Sequence, residues 1–340
     1  MRTVVIPAAG ADWELRQTPR PSPGPGEVLI RVRASAICHN DVLAGLGILP
    51  FPSTSPAIPG HEPAGDVVEV GAGVTSRQVG DRVGVTWIQG VCGRCAQCRR
   101  DSRLSGRAAF SCAAPATTGF TAPGGQAEWL LAPAAGTVLL PADLSYELAA
   151  PMLCSGYTAW SALSVGAPRP GERVAVLGIG GIGHLAVQFA AAAGFETVAI
   201  TRSSDKHAIA ADLGATLVLG SGTELDAAGG ADVILATAPS YSSAGEAMRG
   251  LRPGGRMVLA GIDGREPFSI PPDLARPFFA HGQQILGATH GGMEHLALAL
   301  ASAAAGEVTP RIEVFAPEQI AQAAAAVATG SVRFRAVVAY

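Results

Sequence analysis

The residues best suited to chemistry in this 340-residue chain are its cysteines, a few histidines and one glycine run. The six cysteines are Cys38, Cys92, Cys95, Cys98, Cys112 and Cys154. Three of them, Cys92, Cys95 and Cys98, stand at C-x2-C-x2-C spacing, which reads as metal ligation by thiolates in a reducing compartment and not as a disulfide scaffold. Cys38-His39-Asn40-Asp41, Gly60-His61-Glu62 and Cys154-Ser155-Gly156 also hold metal-ligating types, but each alone is weak, since a lone His or Cys is more often packed or satisfied than ligating. Gly178-Ile179-Gly180-Gly181-Ile182-Gly183 fits G-x-G-x-x-G. The first glycine allows a tight turn, the second lets backbone approach a pyrophosphate, and the third lets helix pack on strand.

A glycine fingerprint binds a dinucleotide only between a strand and a helix. The apolar run Val174–Leu177 precedes this one and a helix, His184–Ala193, follows it. Further strands are expected at Thr197–Thr201, Leu217–Leu219, Val233–Ala236, Met257–Ala260 and Ile285–Gly287, with helices such as Lys206–Leu213 between most of them. Six short strands with crossovers predict a doubly wound parallel sheet. At the end of the second strand an NAD site usually carries Asp or Glu for the ribose 2′-OH. This chain has Thr201-Arg202-Ser203, with Asp205 further on and read as the cap of the next helix. A hydroxyl and a guanidinium suit a 2′-phosphate, so NADP(H) is expected over NAD(H).

Upstream, residues 1–150 are rich in Gly and Pro, with β-type runs at Val28–Val32, Ala64–Val70 and Arg82–Thr86, and read as an irregular all-β domain. The expected organisation is therefore 1–150, 151–288 for the dinucleotide fold, and a tail, 289–340. That tail carries helices near 293–305 and 317–328, and a strand at Arg335–Val338 that returns to the first domain.

Asp+Glu number 27 against Lys+Arg 24, a net charge of −3, which argues against nucleic acid as a partner. No apolar run of about 18 residues is present, so no membrane helix is expected. The N-terminal stretch lacks the pattern of a signal peptide, so a cytoplasmic location is expected.

In order along the chain, Cys38-His39-x-Asp41, Gly60-His61-Glu62-x-x-Gly65, Val79-Gly80-Asp81-Arg82-Val83, Cys92–Cys112, Gly124-Gly125-x-Ala127-Glu128, Ala149–Thr158, Gly178–His184, Leu251–Gly255 and Val332–Arg335 resemble the zinc-dependent medium-chain alcohol dehydrogenases, in particular the cinnamyl-alcohol-type and yeast-type branches. The resemblance covers nearly the whole chain. It implies an α/β protein, with a GroES-like irregular β catalytic domain joined to a Rossmann domain.

It further implies a catalytic Zn²⁺ held by Cys38, His61 and Cys154, with a fourth position open for water or substrate oxygen. Glu62 resembles the family's carboxylate that approaches the metal during ligand exchange. Asp41 resembles the partner that fixes the tautomer of His61. A structural Zn²⁺ on Cys92, Cys95, Cys98 and Cys112, in a lobe over about 90–113, would make two per subunit. The cofactor-binding set becomes His39, Thr158, Gly178, Gly180, Gly181, Ile182, Gly183, Thr201, Arg202, Ser203, Lys206 and Arg335. Trp87 and Leu49 resemble walls of an apolar substrate pocket, with Leu46, Ile48 and Phe51 on the same loop as Leu49. A homodimer or homotetramer acting on a small molecule is implied.

Two departures bear on chemistry. Thirteen residues separate Cys98 from Cys112 where the family usually has seven, so Arg99–Arg103 reads as part of a basic insertion. Asn40 replaces the hydroxyl residue that carries the substrate proton, and Leu43 stands where the family often has the relaying His. An amide does not readily relay a proton. The expected activity is hydride transfer between NADP(H) and an apolar or aromatic alcohol or aldehyde, with carbonyl reduction favoured. The alternatives are reduction of C=N or activated C=C, and a non-catalytic protein on the same fold.

Overall fold

The computed structural model describes residues 1–100, 109–262 and 266–340. The chain forms two compact units: Met1–Cys154 with Gly291–Ala305 and Pro310–Tyr340, and Ser155–His290 with Gly306–Thr309.

The first unit is built on a seven-stranded sheet. Its path runs Ile312–Phe315, Arg335–Ala339, Glu27–Ile37, Glu62–Val70, Arg82–Val85, Thr137–Leu139, and Trp129–Pro133 pairs with Glu27–Ile37 off that path. All these pairings are antiparallel except Ile312–Phe315 with Arg335–Ala339. Alternation within Glu27–Ile37 puts Val28, Ile30 and Val32 into one core with Val67, Val83, Val85 and Leu130. Ile37, at its far end, joins a second core with Trp13, Val42, Ile320 and Val338. The tail does return to this unit, because Val337 and Val338 pair with Ala36 and Ser35.

The unit is less purely β than its sequence suggests. Helices His39–Gly45 and Tyr146–Pro151 interrupt it. Both are too short for a helical period to emerge from the Gly/Pro-rich background. Of the insertion expected at 99–103, Arg99 and Arg100 end a short helix, Ala96–Arg100, and residues 101–103 lie outside the described residues.

The second unit carries six parallel strands: Arg173–Leu177, Glu196–Ile200, Leu217–Leu219, Ala231–Ala236, Leu251–Leu259 and Gln284–Gly287. Their spatial order, 3-2-1-4-5-6, is that of a dinucleotide-binding sheet with its switch point between the first and fourth strands. The fifth strand starts at Leu251, six residues before the expected Met257, because a register shift between Ala231 and Val233 absorbs the Pro253-Gly254 step that reads as a turn in sequence. Asp205 does not cap the following helix. It lies in a 3-10 turn, Ser204–Lys206, and the helix His207–Asp212 begins after Lys206 without a side-chain cap.

Among the described residues no helix is long and apolar enough to cross a membrane.

Candidate metal and cofactor sites

Strand Glu27–Ile37 ends at Cys38, which is the N-cap of helix His39–Gly45. Asp41, in the first turn, reaches back so that its Oδ2 accepts the Cys38 N–H at 3.0 Å. Its other oxygen, Oδ1, lies 2.7 Å from His61 Nδ1. One buried carboxylate therefore fixes both the start of the helix and the imidazole ring. With Nδ1 taken by Asp41, Nε2 is the nitrogen that faces the thiols, 3.3 Å from Cys154 Sγ.

Cys154 arrives differently. Ser145 caps Tyr146–Pro151, and the chain then widens into a π turn, Met152–Gly156, that carries the cysteine. Thr86 holds that turn by donating to the Leu153 carbonyl at 2.7 Å. Gly84 makes room for it, since a Cβ there would lie 2.4 Å from Leu153 Cδ2.

Potential ligand atoms of Cys38, His61, Glu62 and Cys154 all lie within 4.8 Å of one another. Of these, Glu62 is already engaged. Arg335 Nη2 donates to Glu62 Oε1 and Oε2 at 2.5 and 2.6 Å, and both side chains are buried. The sheet makes this pair: Glu62 pairs with Ala36 on one side of Glu27–Ile37, and Ala336 pairs with Ile37 on the other. Burial raises the Glu62 carboxyl to about 7 while Arg335 opposes the shift. A hydrogen bond from Cys154 holds the Cys38 thiol well below its usual range, and the same bond pushes Cys154 well above it. Burial opposes charge on His61, but Asp41 and Cys38 together raise it.

Two thiols and an imidazole that converge on one point fit Zn²⁺ in donor type, and three free donors leave a position open. The second cluster is closed. Sγ of Cys98 lies 3.4, 3.6 and 3.9 Å from those of Cys95, Cys112 and Cys92. Four thiols at such distances fit a structural metal with no open position. Backbone N–H groups of Cys98 and Ala113 bring the Cys95 thiol down to about 6, whereas burial pushes Cys98 up to about 12.

Trp87 lies beside the open site. Its ring centroid is 6.0 Å from that of His61 and 5.6 Å from that of Phe120. Sequence reading missed Phe120 and Phe110, which carry no motif and no periodicity, and it missed the pairing of Arg335 with Glu62. Asn40 is half-buried and His39 exposed on the helix after Cys38. Leu49 is half-buried and its N–H donates to the Leu43 carbonyl. On the same loop Leu46 and Ile48 are exposed, and Phe51 is partly buried against the core that holds Trp13, Val42 and Ile320.

In the second unit the glycines divide by role. A Cβ on Gly178 would lie 2.7 Å from Ala238, and one on Gly183 would lie 1.8 Å from the Gly178 carbonyl oxygen. A Cβ on Gly180 would meet nothing within 4 Å. The outer glycines are thus required by the protein's own packing, and the middle one leaves space for a group from outside. Ile182 stands at the N-cap of helix Gly183–Ala192, with Gly181 in the turn before it. Thr201 follows the second strand directly, and its hydroxyl accepts the Ser203 N–H at 3.3 Å. Arg202 and Ser203 are exposed, Lys206 is half-buried, and Thr158 is buried on helix Tyr157–Gly166. Arg335, expected at a cofactor, spends Nη2 on Glu62, and its buried Nε has no partner among the described residues.

Comparison with known proteins agrees with this geometry. The alcohol dehydrogenase GroES-like domain matches residues 24–142, and the zinc-binding dehydrogenase domain matches 181–305. An alcohol dehydrogenase from Geobacillus stearothermophilus is 37% identical over 330 residues, 94% of each chain. Among solved structures, a cinnamyl alcohol dehydrogenase from Sorghum bicolor is 28% identical with a TM-score of 0.87, covering 99% of this chain and 97% of its own. A zinc-binding dehydrogenase from Sinorhizobium meliloti bound to NADP is 26% identical with a TM-score of 0.87, over 100% and 99%. The chain belongs to the zinc-dependent medium-chain alcohol dehydrogenase family, with a GroES-like domain and a Rossmann-type domain. It is an oxidoreductase of that family acting on a small molecule.

Proposed function

We propose that this protein is an NADP(H)-dependent alcohol dehydrogenase that works chiefly as a carbonyl reductase on apolar or aromatic substrates, with two Zn²⁺ per subunit. The observation that carries the reading is the contrast between the clusters: four thiols in one, and in the other three free donors beside a carboxylate already held by Arg335. Zn²⁺ supplies Lewis acidity to an alcohol or carbonyl oxygen, and the nicotinamide supplies or accepts hydride.

The chain's own groups do the rest. Asp41 keeps a proton on His61 Nδ1 and so keeps Nε2 free as a ligand. Arg335 holds Glu62 back from the open position. Trp87, with Leu49, gives an apolar wall that excludes water. Asn40 donates a hydrogen bond toward a substrate oxygen but relays no proton. The Gly178–Gly183 turn and the N-terminal end of the following helix receive a pyrophosphate. Thr201, Arg202 and Ser203 receive a 2′-phosphate, and none of the three carries a carboxylate to repel it. Relatives of this fold hold NADP in one structure and NAD in another, so the choice rests on these three residues.

A second reading, reduction of C=N or activated C=C, is favoured by Asn40 and Leu43, since those reactions make a different proton demand. The test is a panel of aldehydes, ketones, enals and cyclic iminiums, followed by NADPH and NADH oxidation. Turnover of aromatic aldehydes with NADPH preferred supports the proposal. Turnover confined to iminiums or enals, or a preference for NADH, refutes it. Homodimer or homotetramer assembly, proposed from the resemblance alone, is tested by light scattering.

A further inference from the structure

Phe110 lies two residues before Cys112, and the Ala109 carbonyl accepts the Cys112 N–H at 3.2 Å, so the ring is placed by the same turn that places a thiol of the closed cluster. Its ring meets Trp87 edge-on, with centroids 5.5 Å apart and planes at 83°. Trp87 in turn lies against His61 and Phe120. A buried indole ordinarily fixes its orientation with a hydrogen bond from Nε1. Here Nε1 is buried and has no acceptor among the described residues. The ring is therefore oriented by its three aromatic neighbours. His61 is fixed by Asp41, and Phe120 by the turn in which its N–H bonds to the Thr117 carbonyl at 3.1 Å. Phe110 is the neighbour whose position depends on the four-cysteine lobe.

We propose that the lobe of Cys92, Cys95, Cys98 and Cys112 sets the wall of the substrate site through Phe110, so that metal in the lobe tunes selectivity for flat aromatic substrates. Phe110 is a positioning residue in this scheme: it acts on Trp87, and Trp87 acts on the substrate. The inference rests on the alcohol dehydrogenase reading for its substrate arm only.

Two readouts test it on the full-length, zinc-loaded protein. The first needs no substrate: the near-ultraviolet circular dichroism band of Trp87, isolated as the difference between parent and Trp87→Phe. The second is the ratio of kcat/KM for benzyl alcohol to that for ethanol. Phe110→Ala should retain both metals, shift the Trp87 band, and lower the ratio about three- to tenfold, through KM for benzyl alcohol. Cys95→Ser should lose one metal and reproduce both changes, and the double variant should add nothing further. Cys95→His, which can still ligate, should restore them.

A Phe110→Ala protein with parental band and parental ratio overturns the proposal. So does a Cys95→Ser protein that lacks the lobe metal yet keeps the parental band. If Cys95→Ser does not fold, Phe110→Ala and Cys95→His decide the matter between them. If the parent turns over neither these alcohols nor the corresponding aldehydes, the alcohol dehydrogenase reading fails, and the Trp87 band alone still upholds or overturns the coupling.

Discussion

Asp41→Asn is the substitution that best separates an imidazole held for metal ligation from one that is merely packed. Asp41 accepts twice, from the Cys38 N–H at 3.0 Å and from His61 Nδ1 at 2.7 Å, and both it and His61 are buried. Asparagine offers one carbonyl oxygen and one amide NH2 in the same volume. If the oxygen stays on the Cys38 N–H, the NH2 faces Nδ1, which must then accept. That choice puts the ring proton on Nε2, the nitrogen 3.3 Å from Cys154 Sγ, and removes it as a ligand. If the oxygen turns to His61 instead, the Cys38 N–H loses its partner at the start of the helix. Losing an orienting partner of this kind typically costs 10–100-fold in metal affinity, about 1.4–2.7 kcal/mol. The assay is competition of the protein with a chromophoric zinc chelator. Two sites should be resolved in the parent, and only the weaker or stronger one belonging to Cys38, His61 and Cys154 should move. The four-cysteine site, which Asp41 does not touch, serves as the internal reference. Zinc affinities at both sites within about twofold of the parent would refute the reasoning.

Thr201→Asp should move cofactor preference toward NADH, and Arg202→Ala should weaken NADPH at least about tenfold more than NADH; equal effects in steady-state KM values would refute the assignment. Gly84→Ala should cost about 1–3 kcal/mol in urea unfolding, because its Cβ would overlap Leu153 in the turn that carries Cys154. Asn40→Thr with Leu43→His should raise oxidation of an aromatic alcohol most near neutral pH. The parent rate should rise with pH as bulk hydroxide substitutes for the missing relay, and fast neutral oxidation unaltered by the pair would refute this. Burial works against the charge on Glu172, but Arg256 holds its carboxyl below the usual 4.5. The stability it adds is present above that value and is lost as pH falls through the lower folded one. Glu172→Gln should thus lower the midpoint of urea unfolding at pH 6 and converge with the parent in acid.

The sequence by itself determined what is encoded in short spacings. Cys92, Cys95 and Cys98 stand three residues apart, a spacing that lets their thiols gather on one turn, and they do gather there. Gly178, Gly180 and Gly183 mark a tight strand-to-helix turn, and a strand does precede them and a helix follow. The strands at Arg173–Leu177 and Leu217–Leu219 were legible from their apolar runs, as was the return of the tail through Arg335. The ordered motifs carried the family. What only the tertiary structure decided is how groups far apart in the chain meet. The ring of His61 is set by a carboxylate 20 residues upstream, and Glu62 is held by an arginine 273 residues downstream. Two strands on either side of Glu27–Ile37 make that last contact, and sheet order is not a local property of sequence. Phe110 and Phe120 were silent for the same reason. An isolated phenylalanine has no period and no spacing partner, and it becomes part of a site only when the fold brings a tryptophan against it.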